Sequence, residues 1–276
     1  MNIHQGYQTN LWSLCISFVQ HRKLIIQMAQ REVLSRYKGS MIGLAWSFFN
    51  PLLMLGIYTF FFSYVFKSRW GVEQNAGHAN FAIILFVGLI IHGLFAECIN
   101  RAPILISSNL NYVKKIVFPL EIFPWIAIGS ALFHAGISVI VLLTLQLIIM
   151  GSLSWTLLLF PFILVPLILM TLGVSFFLAA TGVFVKDITQ ITSMITTILL
   201  FVSPVFYPIA LLPAKIRFLV LLNPLTLLIE ESRKVLLFGQ MPDWAGLGIS
   251  AFVSIAIAWA GFFWFQKTRR GFSDVL

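Results

Sequence analysis

Long apolar blocks alternate with short polar stretches along this chain. A hydrocarbon layer about 30 Å thick takes about 20 helical residues to cross. Six blocks meet that length: residues 41–66, 81–100, 122–150, 155–185, 190–212 and 244–265. The pattern predicts an all-α integral membrane protein with six transmembrane helices per chain. Too little chain lies between the blocks for a separate soluble domain. Residues 41–276 are therefore expected to form one six-span membrane domain.

The stretches that do not span have patterns of their own. In residues 1–40, Leu11, Leu14, Phe18, Ile25 and Met28 recur at roughly helical intervals with Gln20, His21, Arg22, Gln27, Gln30 and Arg31 between them. That spacing predicts an amphipathic interface helix on the cytoplasmic side. Residues 101–121, bounded by Pro103 and Pro119, suit a short surface helix between two breakers. Residues 203–243 contain Pro204, Pro208, Pro213, Pro224 and Pro242, and their apolar runs are too short to span. Re-entrant outer helices between spans five and six are expected there, with a short helix over 226–238 supported by an i,i+4 pairing of Glu230 with Lys234.

Composition agrees with this reading: 59% of the 276 residues are apolar and 10% are charged, against about 25% charged in a soluble domain. So few charges could not cover a water-soluble globule of this size. The net charge of +9 matters through its placement. Lys and Arg concentrate in the segments that are cytoplasmic if both termini lie inside, which predicts a multi-pass membrane protein with N and C termini cytoplasmic. Cys15 and Cys98 then fall near the reducing side, and no disulfide is expected. The opening residues lack Lys and Arg, and no small-residue cleavage site follows the first apolar run, so no removed signal peptide is expected.

Most catalytic templates are missing from the sequence. There is no P-loop, no His-Glu-x-x-His, no Cys-x-x-Cys and no Gly-x-Ser-x-Gly. No Asp or Glu sits deep in a span, as an ion-coupled carrier would need. His92 and His134 lie inside spans and read as hydrogen-bonded packing residues, while Glu97 and Arg101 form a plausible i,i+4 pair at the inner end of the second span. Rows of small residues, Ala127, Ala131 and Ala135 in the third span and Gly246, Ser250, Ser254 and Ala258 in the last, read as close helix packing. Two stripes are candidates for a polar conduit: the hydroxyls Thr189, Ser193, Thr196 and Ser203, with Thr192 and Thr197 beside them, and the aromatics Trp46, Phe49, Tyr58 and Phe62 near Asn50 and Pro51. Helix hydroxyls can also satisfy their own backbone, and aromatics in membrane helices often face lipid.

The segment REVLSRYKGSMIGLAWSFFNP, residues 31–51, resembles the opening signature of permease subunits of bacterial ABC exporters for cell-surface polysaccharides, which carry O-antigen, capsule or teichoic acid chains. The resemblance continues through SNLNYVKKIVFPLEIFP, FVKDITQI, SPVFYP, NPLT and the tail FQKTRRGFSDVL. It implies a transport subunit rather than an enzyme: a homodimer joined to two separate ATP-binding cassette subunits, with ATP and magnesium bound on the partner and no cofactor on this chain. By the same resemblance the cargo is a polyprenyl-pyrophosphate-linked polysaccharide, most simply O-antigen. Asn109, Asn111, Lys114 and Lys115 would lie on a first ATPase-coupling loop, with Lys186 and Asp187 on a second. The aromatic and hydroxyl stripes become channel-lining candidates. Arg31, Arg36 and Lys38 would meet the lipid pyrophosphate at its entrance. Two other readings stay open, a permease for a small hydrophobic compound and a membrane enzyme acting on lipid-linked sugars through Glu97, Glu121 or Asp187.

Overall fold

A computed structural model describes residues 10–61, 78–114 and 118–276. In chain order its helices are α1 (Leu11–Tyr37), α2 (Trp46–Thr59), α3 (His78–Arg101), α4 (Leu110–Lys114), α5 (Ile122–Met150), α6 (Phe160–Phe184), α7 (Ile188–Val202), α8 (Ala214–Leu222), α9 (Pro224–Leu236), α10 (Trp244–Thr268) and α11 (Phe272–Val275). Among the described residues, four stretches are long and apolar enough to cross a membrane: Phe81–Ile104, Ile122–Met150, Trp155–Phe184 and Trp244–Gly271. They match four of the six predicted blocks closely.

The other two blocks come out differently. The block at 190–212 yields α7, 15 residues long, because the helix stops at Ser203. Ser203 precedes Pro204, whose ring disfavours the helical conformation in its neighbour, and Ser203 is extended at φ −72° and ψ 149°. At about 1.5 Å per residue α7 covers only about 22 Å, short of a hydrocarbon layer. In the block at 41–66 the described helix is α2, with Pro51 in its interior; residues 62–66, including the channel candidate Phe62, lie outside the described residues. The turn before α2 is set by Gly39 and Gly43, both at positive φ.

Proline also sets the boundaries of the expected re-entrant region. Pro213 precedes α8, and Asn223, extended ahead of Pro224, caps α9 by accepting a hydrogen bond from the Leu225 N–H at 3.0 Å. The expected pairing of Glu230 with Lys234 is replaced by two pairs one residue closer: Glu230 with Arg233 and Glu231 with Lys234, each at 2.7 Å. The cause is the buried face of α9, which carries Glu231, Ser232 and Arg233 inward together.

α3 is the helix around which the others gather. Its sequence is apolar on nearly every side, and most of its residues between Phe81 and Ile99 are buried against α5, α6, α7 and α9. α6 and α10 form the tightest pair, because Gly173 and Gly261 let the two backbones touch: a Cβ on Gly261 would land on the Gly173 carbonyl oxygen. Of the predicted small-residue rows, Ala127, Ala131, Ser254 and Ala258 are buried at such helix packings.

One end of the bundle gathers the connections after α3 and α6 together with the C-terminal helices. Gly182 lies against the Pro103 backbone. Arg269 meets Glu121 at 2.5 Å and donates to the Phe118 carbonyl at 3.1 Å. Phe272 packs on Phe265 at 5.5 Å and on Phe184 at 6.0 Å. α1 crosses α5 near this end: Phe18 sits 4.5 Å from Trp125, and Tyr37, nineteen residues later in the chain, reaches His134. That is about 28 Å of α1 against about 13 Å of α5, so the two helices cross obliquely.

Candidate functional site

α1 and α3 carry the same two charges at the same spacing, Glu32 and Arg36 on one and Glu97 and Arg101 on the other, each pair one helical turn apart. Their faces meet so that each acid finds the base of the opposite helix. Arg36 Nη2 is 2.6 Å from Glu97 Oε1, and Arg101 Nη1 is 2.5 Å from Glu32 Oε1. The expected pairing of Glu97 with Arg101 within α3 survives only as a 3.9 Å contact. The cross-helix contacts are more than 1 Å shorter than the one within α3, so Coulomb attraction favours them.

His134 of α5 joins this clasp. Its Nδ1 lies 3.1 Å from both Glu97 oxygens, and its Nε2 lies 3.2 Å from the Tyr37 hydroxyl. A carboxylate can only accept, so Nδ1 carries the proton and donates to Glu97, while Nε2 accepts from Tyr37. Burial, together with the nearby Glu97 carboxylate and against the pull of Arg36, pushes the Tyr37 phenol up, which keeps its donated proton in place. Arg36 and His134 are 98 residues apart in the chain, so only Glu97 with Arg101 was visible beforehand as a pair.

The clasp forms one wall of a cavity of about 350 Å³ bounded by α2, α3 and α5. Ser47, Asn50, Pro51, Met54 and Tyr58 line it from α2 at successive turns. Tyr58 also packs on Phe206 at 5.8 Å, and Phe206 on Phe201 at 5.6 Å. Of the aromatic stripe, Tyr58 therefore turns inward, while Trp46 and Phe49 occupy the exposed side of α2 with Leu53, Ile57 and Phe60.

The hydroxyl stripe of α7 divides likewise. Thr196 is buried and donates to Asn100 Oδ1 at 2.9 Å, and its carbonyl is 3.0 Å from His92 Nε2. Thr192 is buried beside it, and Ser203 is buried and accepts from Asn223 Nδ2 at 2.8 Å. These groups fasten α7 to α3 and α9. Within one chain they face packing rather than open space. Thr189 is half-buried and Ser193 exposed, on the border of an apolar exposed face made by Ile191, Met194, Ile195, Ile198 and Phe201. His92 is a packing residue, as its surroundings in the sequence suggested.

The coupling candidates fall at the end where α3 and α6 finish. Asn109 is half-buried and donates to the Leu105 carbonyl at 2.9 Å, whereas Asn111, Lys186 and Asp187 are exposed. Lys114 closes α4, and Lys115 lies outside the described residues. The three entrance cations separate: Arg36 is engaged by Glu97, while Arg31 and Lys38 line a different cavity on α1.

Sequence reading gave no weight to Arg233, which is 1% exposed. Its guanidinium pairs with Glu230 and donates to the carbonyls of Ile84 at 3.2 Å and Val205 at 3.1 Å. Burial lowers its pKa to about 10, with Glu230 pulling back toward the usual value, so it stays charged at neutral pH. Glu231 completes the region by accepting from the Asp243 N–H at 2.8 Å, at the start of α10.

The model of the family described as ABC-2 type transporter matches residues 23–237. The chain is 30% identical to an O-antigen export system permease protein, RfbA, of Myxococcus xanthus, over 92% of this chain and 96% of that protein. It is 26% identical to an RfbA of Klebsiella pneumoniae over 92% and 95% of the two chains. It is 24% identical to the polysialic acid transport protein KpsM of Escherichia coli over 84% and 88%.

Proposed function

Since this chain belongs to the ABC-2 type transporter family, we propose that it is the channel-forming permease subunit of an ATP-driven exporter that moves lipid-linked polysaccharide, O-antigen in the first instance, across the bacterial inner membrane. Two copies pair and bind two ATP-binding cassette subunits, which hold the ATP and magnesium. Each copy crosses the membrane six times with both termini in the cytoplasm, the shorter α2 and α7 falling within the two remaining spans, and α8 and α9 fold back as the outer re-entrant pair.

The observation that carries this reading is the joint at Gly182 and Pro103, where the connections after α3 and α6 meet at one end of the bundle. Exposed Asn111, Lys186 and Asp187 lie on those two connections. A partner that docks there bears on the ends of α3 and α6 and on the start of α7. The exposed faces of α2 and α7, with Trp46, Phe49 and Ser193, are left to line a conduit between the two copies. Tight binding along such a conduit would stall a processive polymer, and flat aromatic and hydroxyl surfaces suit weak, repeated contacts.

The test is affinity isolation of this chain from its native membrane, with surface polysaccharide measured in a strain lacking it. An ATP-binding cassette protein in the isolate and loss of surface polysaccharide are expected. Isolation without any such partner, together with normal surface polysaccharide, would refute the proposal.

A further inference from the structure

The transport reading leaves one large feature without a role. Between α1 and α5 runs a groove of about 630 Å³ with apolar walls, among them Ile25, Ile26 and Leu34 of α1 and Trp125, Ile128 and Phe133 of α5. Next to it lies a second cavity of about 650 Å³, lined by polar groups of α1 that include Gln27, Arg31, Ser35 and Lys38. Gln30, Leu34 and Leu44 belong to both, so the two make a single trough with an apolar arm and a cationic mouth. Helical periodicity builds it: positions 27, 31, 35 and 38 form one stripe of α1, and 26, 30 and 34 the stripe beside it.

The charges at the mouth differ from those next to them. Arg36 and Arg101 have acidic partners in the clasp, whereas among the described residues neither Arg31 nor Lys38 is in an ion pair. Two cations left open beside an apolar groove in a membrane-embedded chain match a ligand with a phosphate at one end and hydrocarbon at the other. The trough and the α2 cavity adjoin at Tyr37, which lines both. Tyr37, fastened to His134, stands between the two, and Arg36 is tied to Glu97 behind it. Neither cavity of the trough takes a lining residue from α2 or α7, which suits a resident lipid better than a moving cargo.

We propose that the trough binds one anionic glycerophospholipid of the surrounding bilayer, its phosphate between Arg31 and Lys38 and its acyl chains in the groove between α1 and α5. The lipid fills the space that the oblique crossing of the two helices leaves open and seats α1 against the bundle. The assignment depends on the chain being embedded in a bilayer and is independent of which polymer is exported.

The protein, purified in detergent from its membrane with whatever subunits accompany it, is washed and its retained lipid identified and counted by mass spectrometry. It is then titrated with phosphatidylglycerol and with phosphatidylcholine. Wild type should keep about one anionic phospholipid per chain. The double variant Arg31→Gln with Lys38→Gln should bind phosphatidylglycerol about thirtyfold more weakly, about 2 kcal/mol at 1.4 kcal/mol per factor of ten. Leu34→Trp, which crowds the junction and leaves both cations, should also lower retention. All three side chains are exposed, and an unchanged elution volume will report intact folding. Equal retention in wild type and the double variant, a retained lipid that is zwitterionic, or a polyprenyl phosphate found in its place would each overturn the assignment.

Discussion

Neutralising Glu97 is the sharpest test of how α1 is held. Its carboxylate has three cationic or donating neighbours: Arg36 at 2.6 Å, His134 at 3.1 Å and, more distantly, Arg101 at 3.9 Å. The side chains of Glu97 and Arg36 are 21% and 32% exposed, so the pair is neither a surface bridge nor a dry one. Surface bridges contribute about 0–1 kcal/mol, and removing one partner of a fully buried pair costs about 3–5 kcal/mol. Discounted for solvent screening, Glu97→Gln should cost about 2 kcal/mol, because it leaves Arg36 uncompensated and weakens the His134 hydrogen bond. Arg36→Gln should cost less, about 1 kcal/mol, since His134 still donates to Glu97. The double variant tests the mechanism directly: residues in contact couple by about 0.5–3 kcal/mol, and a coupling of about 1 kcal/mol is expected between 36 and 97. Unfolding in mixed micelles graded with sodium dodecyl sulfate would measure all three variants. Additive losses, with coupling below about 0.3 kcal/mol, would mean that the two groups lie close without holding the helices together.

Arg233→Met should destabilise the protein by about 3 kcal/mol, because it leaves the Ile84 and Val205 carbonyls without their donor and Glu230 without its cation; thermal unfolding of the detergent-solubilised protein would show it, and an unchanged transition would contradict the geometry. Gly261→Ala adds one methyl group where the Gly173 carbonyl already sits, so α6 and α10 must separate at a cost of about 1–3 kcal/mol, read in the same assay. Trp46→Ala on the exposed face of α2 should reduce surface polysaccharide while leaving the amount of assembled complex unchanged; full export would remove Trp46 from the conduit. Reversing the charges at Lys186 and Asp187, both exposed, should weaken co-purification of an ATP-binding cassette subunit, and normal recovery would remove that turn from the docking surface.

Helix positions were legible in the sequence wherever length and apolar periodicity agreed, and they were misjudged where a single proline decided the matter. α5 begins and ends where its apolar block does, closed by Gly151 at φ 71°. α7 ends early because Ser203 cannot stay helical before Pro204, a local rule that the apolar run 205–212 concealed. Site residues were less legible, since a stripe on a helix says which residues share a face and nothing about what that face meets. Thr196 and Ser193 share a stripe on α7, yet one is bonded to Asn100 and the other is exposed. The repeated Glu-x-x-x-Arg at residues 32–36 and 97–101 was the signal that a clasp was possible. Only the placement of α1, packed on α5 beside α3, shows which acid takes which base.

The two charged constellations stand at opposite ends of α3, and their placement constrains what can move. Arg233 grips the helix at the Ile84 carbonyl, and Arg36 and Glu32 grip it at Glu97 and Arg101, about 20 Å farther along. Between these points α3 is buried on nearly all sides. A helix held by a guanidinium hydrogen bond near one end and by ion pairs at the other, and packed in between, is poorly suited to bending or turning, because either motion strips partners from charges already removed from water. α2 and α7 lack such restraint: each turns a broad apolar face outward, α2 carries Pro51 in its interior, and α7 is held to α3 by neutral hydrogen bonds from Thr196 and His92. Neutral hydrogen bonds are each worth about 1 kcal/mol net, within reach of a subunit that does work on the bundle, whereas breaking the clasp asks for more. Rearrangement during transport is therefore expected at α2 and α7, with α3 as the fixed member. Disulfides introduced between α3 and α9 should leave export unchanged, while those that tie α7 to α3 should stop it; the reverse outcome would place the moving parts elsewhere.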